Sequence, residues 1–271
     1  MSTPSGRDIG RSGPAVASKP TRGPVGAAQD TDPIELYAAA IDTSDFVARV
    51  APLIRQSVRD IGDLLDIGAG GGQLGRVLRA PNCRWTAIEP SSNMRARLAH
   101  LKDPPHLIAE GWETTDVPFG GHDTVLAANI AAPLLEPTAF LQRCAAWARR
   151  AVIWVVPAQQ GPRGMCFAGC LPAAWHGEDE TPGVDIVLRG LAPSARPHSI
   201  AFAQWTFSGV VADVEALAIY LADRLGWPQG RRPEMTAHLA RQAKRDPRGY
   251  RLDIPRRSAV LVWKHAEGRV P

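Results

Sequence analysis

The chain has 271 residues, of which 45% are hydrophobic and 21% are charged, as is typical of a folded globular protein. This length allows one substantial core, and no apolar run approaches the ~20 residues that a membrane-spanning helix needs. The amino end lacks the apolar stretch of a secretory signal, so we expect a cytoplasmic protein without membrane contact. The net charge of +4 is uneven, because the segment beyond Gly230 carries 11 basic and 4 acidic residues.

The four cysteines do not form a metal-binding motif. Cys166 and Cys170 lie in one loop, and no second pair is present to complete a zinc site. Cys83 and Cys144 fall in or beside predicted secondary structure, where a small apolar thiol commonly packs. We therefore predict no metal site.

The first 32 residues differ in composition from the rest of the chain. They are rich in glycine, proline, serine and alanine and contain almost no large apolar side chains. Such a segment cannot bury enough surface to offset the entropy lost on ordering. We predict a disordered tail over 1–32 and a single domain over 33–271.

From residue 33 onward, helix and strand patterns alternate. A helical pattern covers 33–59, and the short apolar run at 63–67 is typical of a buried strand. The next predicted elements are helix 72–80, strand 85–88, helix 91–101, strand 106–109, strand 123–128, a helix begun by proline that carries Phe140 and Trp147, and strand 151–156. This alternation predicts right-handed β-α-β units and a mostly parallel sheet.

The remaining sequence is less regular. Residues 158–196 form a loop-rich stretch with several acidic side chains. The later predicted elements are strand 199–207, helix 211–225, helix 233–244 and strand 258–264. Their patterns do not by themselves say how these elements join the sheet.

The segment 64–75 (LLDIGAGGGQLG) joins a predicted buried strand to a helix through a glycine-rich turn. Glycines at such a turn let backbone N–H groups and the positive end of the helix approach a ligand closely. Glu89 follows about 20 residues later at the tip of the next strand, where a carboxylate can accept hydrogen bonds from both hydroxyls of a ribose. The pattern predicts a site for an adenosine-containing ligand.

Three interpretations of this turn stay open. Gly70, Gly72 and Gly75 match the G-x-G-x-x-G fingerprint of dinucleotide-binding proteins, which would make the chain an NAD(P)-binding oxidoreductase. Asp66 lies inside the strand, where its charge would repel a pyrophosphate but attract a ligand with an ammonium and a sulfonium. S-adenosylmethionine is such a ligand. The third interpretation is a turn that binds nothing.

The run Asp66-Ile67-Gly68-Ala69-Gly70-Gly71-Gly72 resembles motif I, D-x-G-x-G-x-G, of the class I S-adenosylmethionine-dependent methyltransferases. Glu89 matches the ribose-binding acid of that family. The run 122–129 (HDTVLAAN) is similar to the family's fourth strand, which borders the methyl-transfer site. The resemblance covers residues 33–160 and implies an S-adenosylmethionine-dependent methyltransferase.

The resemblance also implies roles for single residues. Asp66 would contact the methionine ammonium of the cofactor, Glu89 would hold the ribose hydroxyls, and Asn129 would face the methionine portion. The other cofactor-binding residues expected from the matched segments are Gly68, Ala69, Gly70, Gly72, Pro90 and Trp112, the last within the 110–113 stretch expected at the adenine. Tyr37 on the first helix would either close over the cofactor or simply pack.

The fold implied by the resemblance is Rossmann-like, with a seven-stranded, mostly parallel sheet and an antiparallel last strand. In this fold 258–264 would be the last strand and 199–207 the sixth, with residues 211–247 as a helical insertion between them. The insertion and the 158–180 loop would form a rim over the carboxyl ends of the strands, where substrates bind in open α/β sheets.

Methyl transfer requires mainly alignment of the reacting groups and, for some acceptors, a base. His176, beside Glu178 in the acidic loop, is the candidate base, and a purely structural histidine is the alternative. A small-molecule acceptor fits the acidic 158–180 loop, whereas RNA would use the basic segment beyond Gly230. Because Tyr250 is the one aromatic residue in the basic run RQAKRDPRGYRLDIPRR, we favour the small molecule.

Overall fold

The computed structural model describes residues 33–130, 132–163 and 166–265, except for the side chain of Cys166. The predicted tail over 1–32 lies outside the described residues. Within them, the helices are α1 (Pro33–Thr43), α2 (Phe46–Ser57), α3 (Gln73–Leu78), α4 (Ser92–Ala99), α5 (Pro137–Trp147), α6 (Ala173–His176), α7 (Gly183–Gly190), α8 (Val214–Arg224) and α9 (Arg232–Gln242). The strands are β1 (Leu64–Ile67), β2 (Trp85–Ile88), β3 (His106–Ile108), β4 (His122–Ala128), β5 (Ala148–Pro157), β6 (Ser199–Val211), β7 (Lys244–Asp246) and β8 (Gly249–Lys264).

These strands form one sheet in the order β3-β2-β1-β4-β5-β8-β6, and the short β7 pairs with the outer part of β8. The first five pair in parallel, and β8 lies antiparallel between β5 and β6. The predicted mostly parallel sheet with an antiparallel last strand is therefore confirmed, but the sheet has eight strands rather than the expected seven, because the short β7 adds to β8. The two helices expected between the sixth and last strands are present as α8 and α9.

Both faces of the sheet are covered, as a parallel sheet requires. Every residue of β1 is buried, and alternate residues face opposite sides. Leu64 packs in the cluster that contains α2, α8 and α9, whereas Leu65 and Ile67 pack in the cluster that contains α5 and α7. No helix in the described part of the chain is long and apolar enough to cross a membrane.

The helical pattern over 33–59 is divided between α1 and α2. Thr43 and Ser44 use their hydroxyls to donate hydrogen bonds to the carbonyl oxygens of Ala40 and Ile41, at 3.1 Å and 2.7 Å. Side chains that bond to nearby backbone groups in this way compete with helix continuation. The break at residues 44–45 lets α1 and α2 run in different directions.

The last strands are longer than the sequence pattern predicts. β8 has 16 residues rather than the seven of 258–264, and β6 continues to Val211. β5 ends at Pro157, opposite Ser258, so residues 204–211 and 249–257 extend past it as a two-stranded ribbon, called the arm below. Pro255, which precedes the predicted strand 258–264, lies within β8 opposite Thr206 in the arm. There β8 has a strand on one side only, which is where a sheet tolerates proline.

The stretch 158–196, expected as loop, contains α6 and α7. The face of α7 that carries Val184 and Val187 is buried in the same cluster as Val152 and Trp154 of β5. Flanking glycines and prolines mask this short amphipathic helix in the sequence. α7 therefore belongs to the core and lies outside the 158–180 loop that is expected to form part of the rim.

Candidate functional site

The glycine-rich turn leads directly from β1 into α3. Gly68, Gly70 and Gly72 all have positive φ values, of 59°, 57° and 76°, which side chains rarely adopt. A Cβ on Gly68 would lie 2.3 Å from Ile130 Cγ2, and one on Gly72 would lie 2.6 Å from Leu98 Cδ2. A Cβ on Gly70 would meet nothing within 4 Å. Gly68 and Gly72 thus allow close packing, while Gly70 exposes bare backbone to open space.

Glu89 follows β2 and is buried, with 5% of its surface exposed. Its Oε2 accepts a hydrogen bond of 2.8 Å from the backbone N–H of Gly70, and its Oε1 accepts one of 2.9 Å from that of Ser91. A carboxylate has about four acceptor positions, so each oxygen keeps capacity for another donor. The glycine turn therefore fixes the orientation of Glu89 without using up its acceptors.

Asp66 is a buried carboxyl group in the middle of β1, exposed by 4%. Its Oδ2 would lie 2.2 Å from a Cβ on residue 75, so Gly75 in α3 makes room for it. Burial away from water raises the pKa of Asp66 to about 7; a side-chain hydrogen bond with Trp85 opposes this rise, and the negative charge of Glu89 contributes to it. An isolated buried carboxylate is costly, so a cation beside Asp66 would stabilise its ionised form.

A cavity of about 300 Å³ opens at the carboxyl ends of β1, β2 and β4, at the small end of the range for ligand sites. Asp66, the glycine turn and Glu89 form part of its wall. Its other lining residues are Ile34, Tyr37, Ile41, Phe46, Gln73, Leu74, Pro90, Ser91, Met94, Ala128, Asn129 and Ile130. No lysine or arginine is among the described residues that line it. Nearby Arg95 donates to the carbonyl oxygens of Glu89 and Pro90 instead.

Asn129 directly follows β4 and lies in the left-handed region, with a φ of 56°. Asparagine adopts this conformation more readily than most residues. Its backbone N–H donates to the carbonyl oxygen of Val155 at 3.0 Å, which ties the turn to β5. The structure thus brings Asp66, Gly68, Ala69, Gly70, Glu89, Pro90 and Asn129 to one cavity, and Gly72 packs beneath the turn that forms its wall.

Trp112 is not brought to the cavity wall. Its ring contacts Phe140 edge-on, with ring centroids 5.0 Å apart, on the face of the sheet that holds α5. β3 has only three residues and is partly exposed, so its sequence pattern does not define which side the following residues face. The expectation that Trp112 contacts an adenine is corrected accordingly.

His176 also lies away from the cavity wall. It is buried in α6, where its Nδ1 accepts a hydrogen bond of 3.1 Å from the backbone N–H of Glu178. Its Nε2 lies 3.3 Å from Glu180 Oε1. Because both ring nitrogens face groups of the acidic loop, His176 organises this loop. The structure therefore favours a structural histidine over the candidate base.

Ile34 and Ile41 on α1 are the main part of the wall that sequence reasoning did not assign, and they lie there beside Tyr37, for which closing over the cofactor and simple packing were both open. Ile34, Tyr37 and Ile41 are spaced three and four residues apart, which places them on one face of a helix. That spacing is visible in the sequence, but it is equally typical of a core-facing helix. Only the fold shows that this face covers the glycine turn.

A larger and more open cleft of about 790 Å³ lies beside the cavity, between α1, α3 and α4. It shares Ile41, Gly71 and Gln73 with the cavity and is otherwise lined mainly by charged and polar side chains such as Glu35 and Arg97. It contains neither Asp66 nor Glu89. The smaller cavity is therefore the candidate site, because the glycine turn and both buried carboxyl groups face it.

Five of the ten described basic side chains beyond Gly230 form ion pairs with acidic groups of the fold, and the segment keeps its excess of positive charge. Pairs within 3.4 Å join Arg231 to Glu234, Arg232 to Asp223, Lys244 and Arg251 to Asp253, and Arg248 to Asp246. Arg245 and Arg257 lie over the rings of Tyr250 and Phe202. Among the described residues there is no group of three histidine, cysteine, aspartate or glutamate side chains placed to hold a metal ion.

No protein-family model matches the chain, and no curated protein matches its sequence. Solved structures match at low identity. The YcgJ protein from Bacillus subtilis is 13% identical with a TM-score of 0.48, over 80% of this chain and 98% of the other. Magnesium protoporphyrin IX methyltransferase from Synechocystis, with bound S-adenosylmethionine, is 13% identical (TM-score 0.40; 87% and 86% covered). The [4+2]-cyclase SpnF is 16% identical (TM-score 0.48; 81% and 80% covered). Values this low do not identify a function.

Proposed function

We propose that the chain is an S-adenosylmethionine-dependent methyltransferase that acts on a small molecule, within a single domain over 33–271. The observation that carries the proposal is the pairing of Asp66 and Glu89. Both carboxyl groups are buried at the wall of one cavity, and no lysine or arginine lines that wall in the described residues. A ligand that brings positive charge and hydroxyl groups complements such a site.

The residues of the cavity fit this cofactor. Glu89 has acceptor capacity for the ribose hydroxyls, and the buried carboxyl group of Asp66 suits the methionine ammonium. Gly70 leaves its Cβ position empty, so the adenosyl part can lie against the backbone. Asn129 and the α1 face would enclose the methionine part. When bound, S-adenosylmethionine supplies a methyl group activated by the adjacent sulfonium.

The dinucleotide alternative fits less well. A pyrophosphate would need backbone N–H donors and positive charge at the glycine turn, but the Gly70 N–H already donates to Glu89. Two buried carboxyl groups beside a pyrophosphate would repel it.

The protein's own contribution to the reaction would be alignment and exclusion of water. The described wall of the cavity contains no histidine or lysine, and His176 is held within the acidic loop. Holding two reactants in line can supply several kcal/mol of the barrier without a base. We therefore propose an acceptor that needs little help to lose its proton. RNA is the less favoured acceptor, because Lys244, Arg248 and Arg251 pair with carboxylates of the fold.

Calorimetric titration of the purified chain with S-adenosylhomocysteine and, separately, with NAD tests the cofactor assignment. We expect binding heat with S-adenosylhomocysteine alone, and Asp66→Ala should abolish it while leaving the circular dichroism spectrum unchanged. Asp60→Ala, which removes an exposed ion pair with Arg150, is the matched control. Heat with NAD and none with S-adenosylhomocysteine would reject the proposal.

A further inference from the structure

The two edges of the sheet are protected to different degrees. β3, at one edge, has three residues, and very short edge strands offer little backbone for pairing. β6, at the other edge, has 13 residues. Charged side chains and prolines commonly block such a strand, but the stretch 199–205 (SIAFAQW), called the open edge below, contains neither. A strand of this kind is a template for pairing with a further strand.

The register shows which residues of β6 turn their backbone groups outward. Thr206 lies opposite Pro255 of β8, which has no N–H to share, and the N–H of Thr206 donates to Asp45 Oδ1 at 2.6 Å. The carbonyl oxygen of Ser208, two residues on, accepts from Thr43 Oγ1 at 2.5 Å. Because hydrogen-bonded and non-hydrogen-bonded pairs alternate along an antiparallel ladder, the even-numbered residues of β6 point their backbone groups away from β8. The turn between α1 and α2 thus covers this edge at 206–208.

The open edge itself is left uncovered. By the same alternation, Ile200, Phe202 and Gln204 direct their N–H and C=O groups outward, and none of the described residues bonds to those groups. The side chains of Ile200 and Phe202 are also exposed, by 41% and 48%. The open edge therefore combines free backbone donors and acceptors with apolar surface.

The open edge is complementary to itself. Its outward-facing residues are centred on Phe202, so a second copy related by a two-fold axis at Phe202 would place Ile200 opposite Gln204 of the other copy. Each facing pair would exchange both backbone hydrogen bonds, as in an antiparallel ladder. The two Phe202 side chains would lie side by side, because facing residues of neighbouring strands share one face of the sheet.

The same arrangement ends where the edge is already occupied. The next facing pair would be Thr206 and His198 of the other copy. The N–H of Thr206 is taken by Asp45, and the N–H of His198 donates to the carbonyl oxygen of Val262 at 2.8 Å. Pairing would therefore stop at equivalent positions on both sides of the axis, which leaves none of the free groups of the open edge unused.

We propose that the open edge is a dimer interface, at which the β6 strands of two copies pair in antiparallel and join the two sheets into one. A second copy is the partner because the symmetric arrangement satisfies the free groups of both strands at once. The uncharged open edge also offers nothing that would select a charged peptide of another protein. None of its residues lines the cofactor cavity, so the inference does not depend on the proposed function.

The test measures the mass of the full chain by analytical ultracentrifugation between about 1 μM and about 100 μM. We expect the mass to rise with concentration from 29.1 kDa toward twice that value. Phe202→Lys places like charges opposite each other at the axis, so it should raise the dissociation constant of the dimer about a hundredfold. Phe119→Lys, at a side chain that is 64% exposed in the loop before β4, is the control and should dimerise as the wild type does.

A second variant separates backbone pairing from apolar contact. Gln204→Pro removes an outward-facing N–H that β8 does not use, so the sheet within one copy keeps its ladder. Two hydrogen bonds are lost across the axis, and the dimer should weaken about tenfold although Phe202 is intact. A wild type that keeps a mass of 29.1 kDa at about 100 μM, or a dimer that Phe202→Lys and Gln204→Pro both leave unchanged, would overturn the interface.

Cysteine variants test the register. Facing residues of a hydrogen-bonded antiparallel pair have Cα atoms about 5.5 Å apart, which is within the range of a disulfide. Mild oxidation should therefore cross-link Phe202→Cys into a covalent dimer. Ile200→Cys should stay uncross-linked, because its position faces residue 204 rather than itself. Cross-linking of Ile200→Cys but not of Phe202→Cys would overturn the proposed two-fold arrangement.

Discussion

The two sides of the sheet are built from strands of very different length. β1, β2, β3 and β4 have three to seven residues and end at one edge, where Gly68, Glu89 and Asn129 follow. β6 and β8 have 13 and 16 residues and continue past that edge as the arm. The short strands thus bring the polar groups of the site together, while the arm holds the end of the helix that covers them.

The short strands and the arm thus have different tasks within one fold. Positions at the ends of short buried strands are fixed by the core of the sheet, so they suit groups that must be placed accurately. The arm meets α1 mainly through single hydrogen bonds and the stacking of Tyr37 on Phe207, with ring centroids 6.0 Å apart. The arm therefore positions a whole helix at the cavity, rather than a single polar group. The predictions below test whether the two regions differ in this way.

The largest effect is expected from truncating a fully buried side chain in the parallel part of the sheet. Trp154→Ala should lower the free energy of unfolding by about 4 kcal/mol, because Trp154 is fully buried in β5 and packs against Phe140 with centroids 4.7 Å apart. Urea denaturation at neutral pH measures this loss. Phe119→Ala, at a side chain that is 64% exposed, should change it by less than about 0.5 kcal/mol.

The matched variant in the arm is Phe207→Ala. Phe207 is also fully buried, so it should cost about 3–5 kcal/mol if the arm folds together with the sheet. A loss below about 1 kcal/mol, or a second unfolding transition, would show that the arm is a separable attachment. That result would show that the arm and the rest of the sheet are two separate folding units.

Asp66 gives a pH dependence of opposite sign to the usual carboxylate. Its folded pKa is raised to about 7 from 3.8, so between these values the folded chain keeps a proton that the unfolded chain releases. The contribution of Asp66 therefore falls as pH rises through this window. Asp66→Asn should become more stable than the wild type by about 2–4 kcal/mol at pH 8, with little difference near pH 4. Urea denaturation at both pH values measures it.

Subtracting wild type from variant removes the other titrating groups. The pKa values of Asp45, Asp123 and Asp253 are lowered, and their effects lie below pH 4 in both proteins. An Asp66→Asn variant with the wild-type pH profile would show that Asp66 is already ionised without a ligand. The argument that the cavity calls for a cation would then lose its strongest support.

Glu89→Gln should weaken S-adenosylhomocysteine binding about thirtyfold and lower the free energy of unfolding by about 1–3 kcal/mol. Both oxygens of Glu89 accept from backbone N–H groups, so an amide nitrogen at either position would face another donor and loosen the glycine turn. Calorimetry measures the affinity. Glu113→Gln, at an exposed carboxylate after β3, should bind as the wild type does. Equal affinities in the two variants would remove Glu89 from the site.

The sequence predicts β1, β2 and β4 well because the residue patterns that define them are local. Apolar runs that end in glycine, an acid or asparagine define where β1, β2 and β4 stop, and parallel strands bring those ends together. Asp66, Gly68 and Glu89 could therefore be placed at one ligand site from the strand, glycine turn and helix and from their spacing, whereas only the resemblance to the methyltransferase family implies Asn129 there. Trp112 could not, because the partly exposed three-residue β3 does not specify which face follows it.

The placement of α1 against the arm depends on contacts between distant parts of the chain. Thr43 meets Ser208 across 165 residues, and no local pattern encodes such a pair. The position of His176 in an acidic loop leaves a base and a structural histidine both open, and in the fold Glu178 and Glu180 face the nitrogens of its buried ring. Residues of this kind are identified only after packing is known.

The smallest effects are expected from the charges of β7 and of the turn that joins it to β8. Replacing both Arg245 and Arg248 by glutamine should change the free energy of unfolding by less than about 0.5 kcal/mol, because both side chains are exposed, Arg248 pairing with Asp246 and Arg245 lying over Tyr250. S-adenosylhomocysteine affinity should stay within about twofold. Mobility shifts with tRNA at physiological salt should show no retention of either protein. If the wild type instead retains tRNA and the variant lowers the salt slope by about two, these arginines contact phosphates. β7 and the turn after it would then supply positive charge for phosphate contacts, and RNA would replace the small molecule as the proposed acceptor.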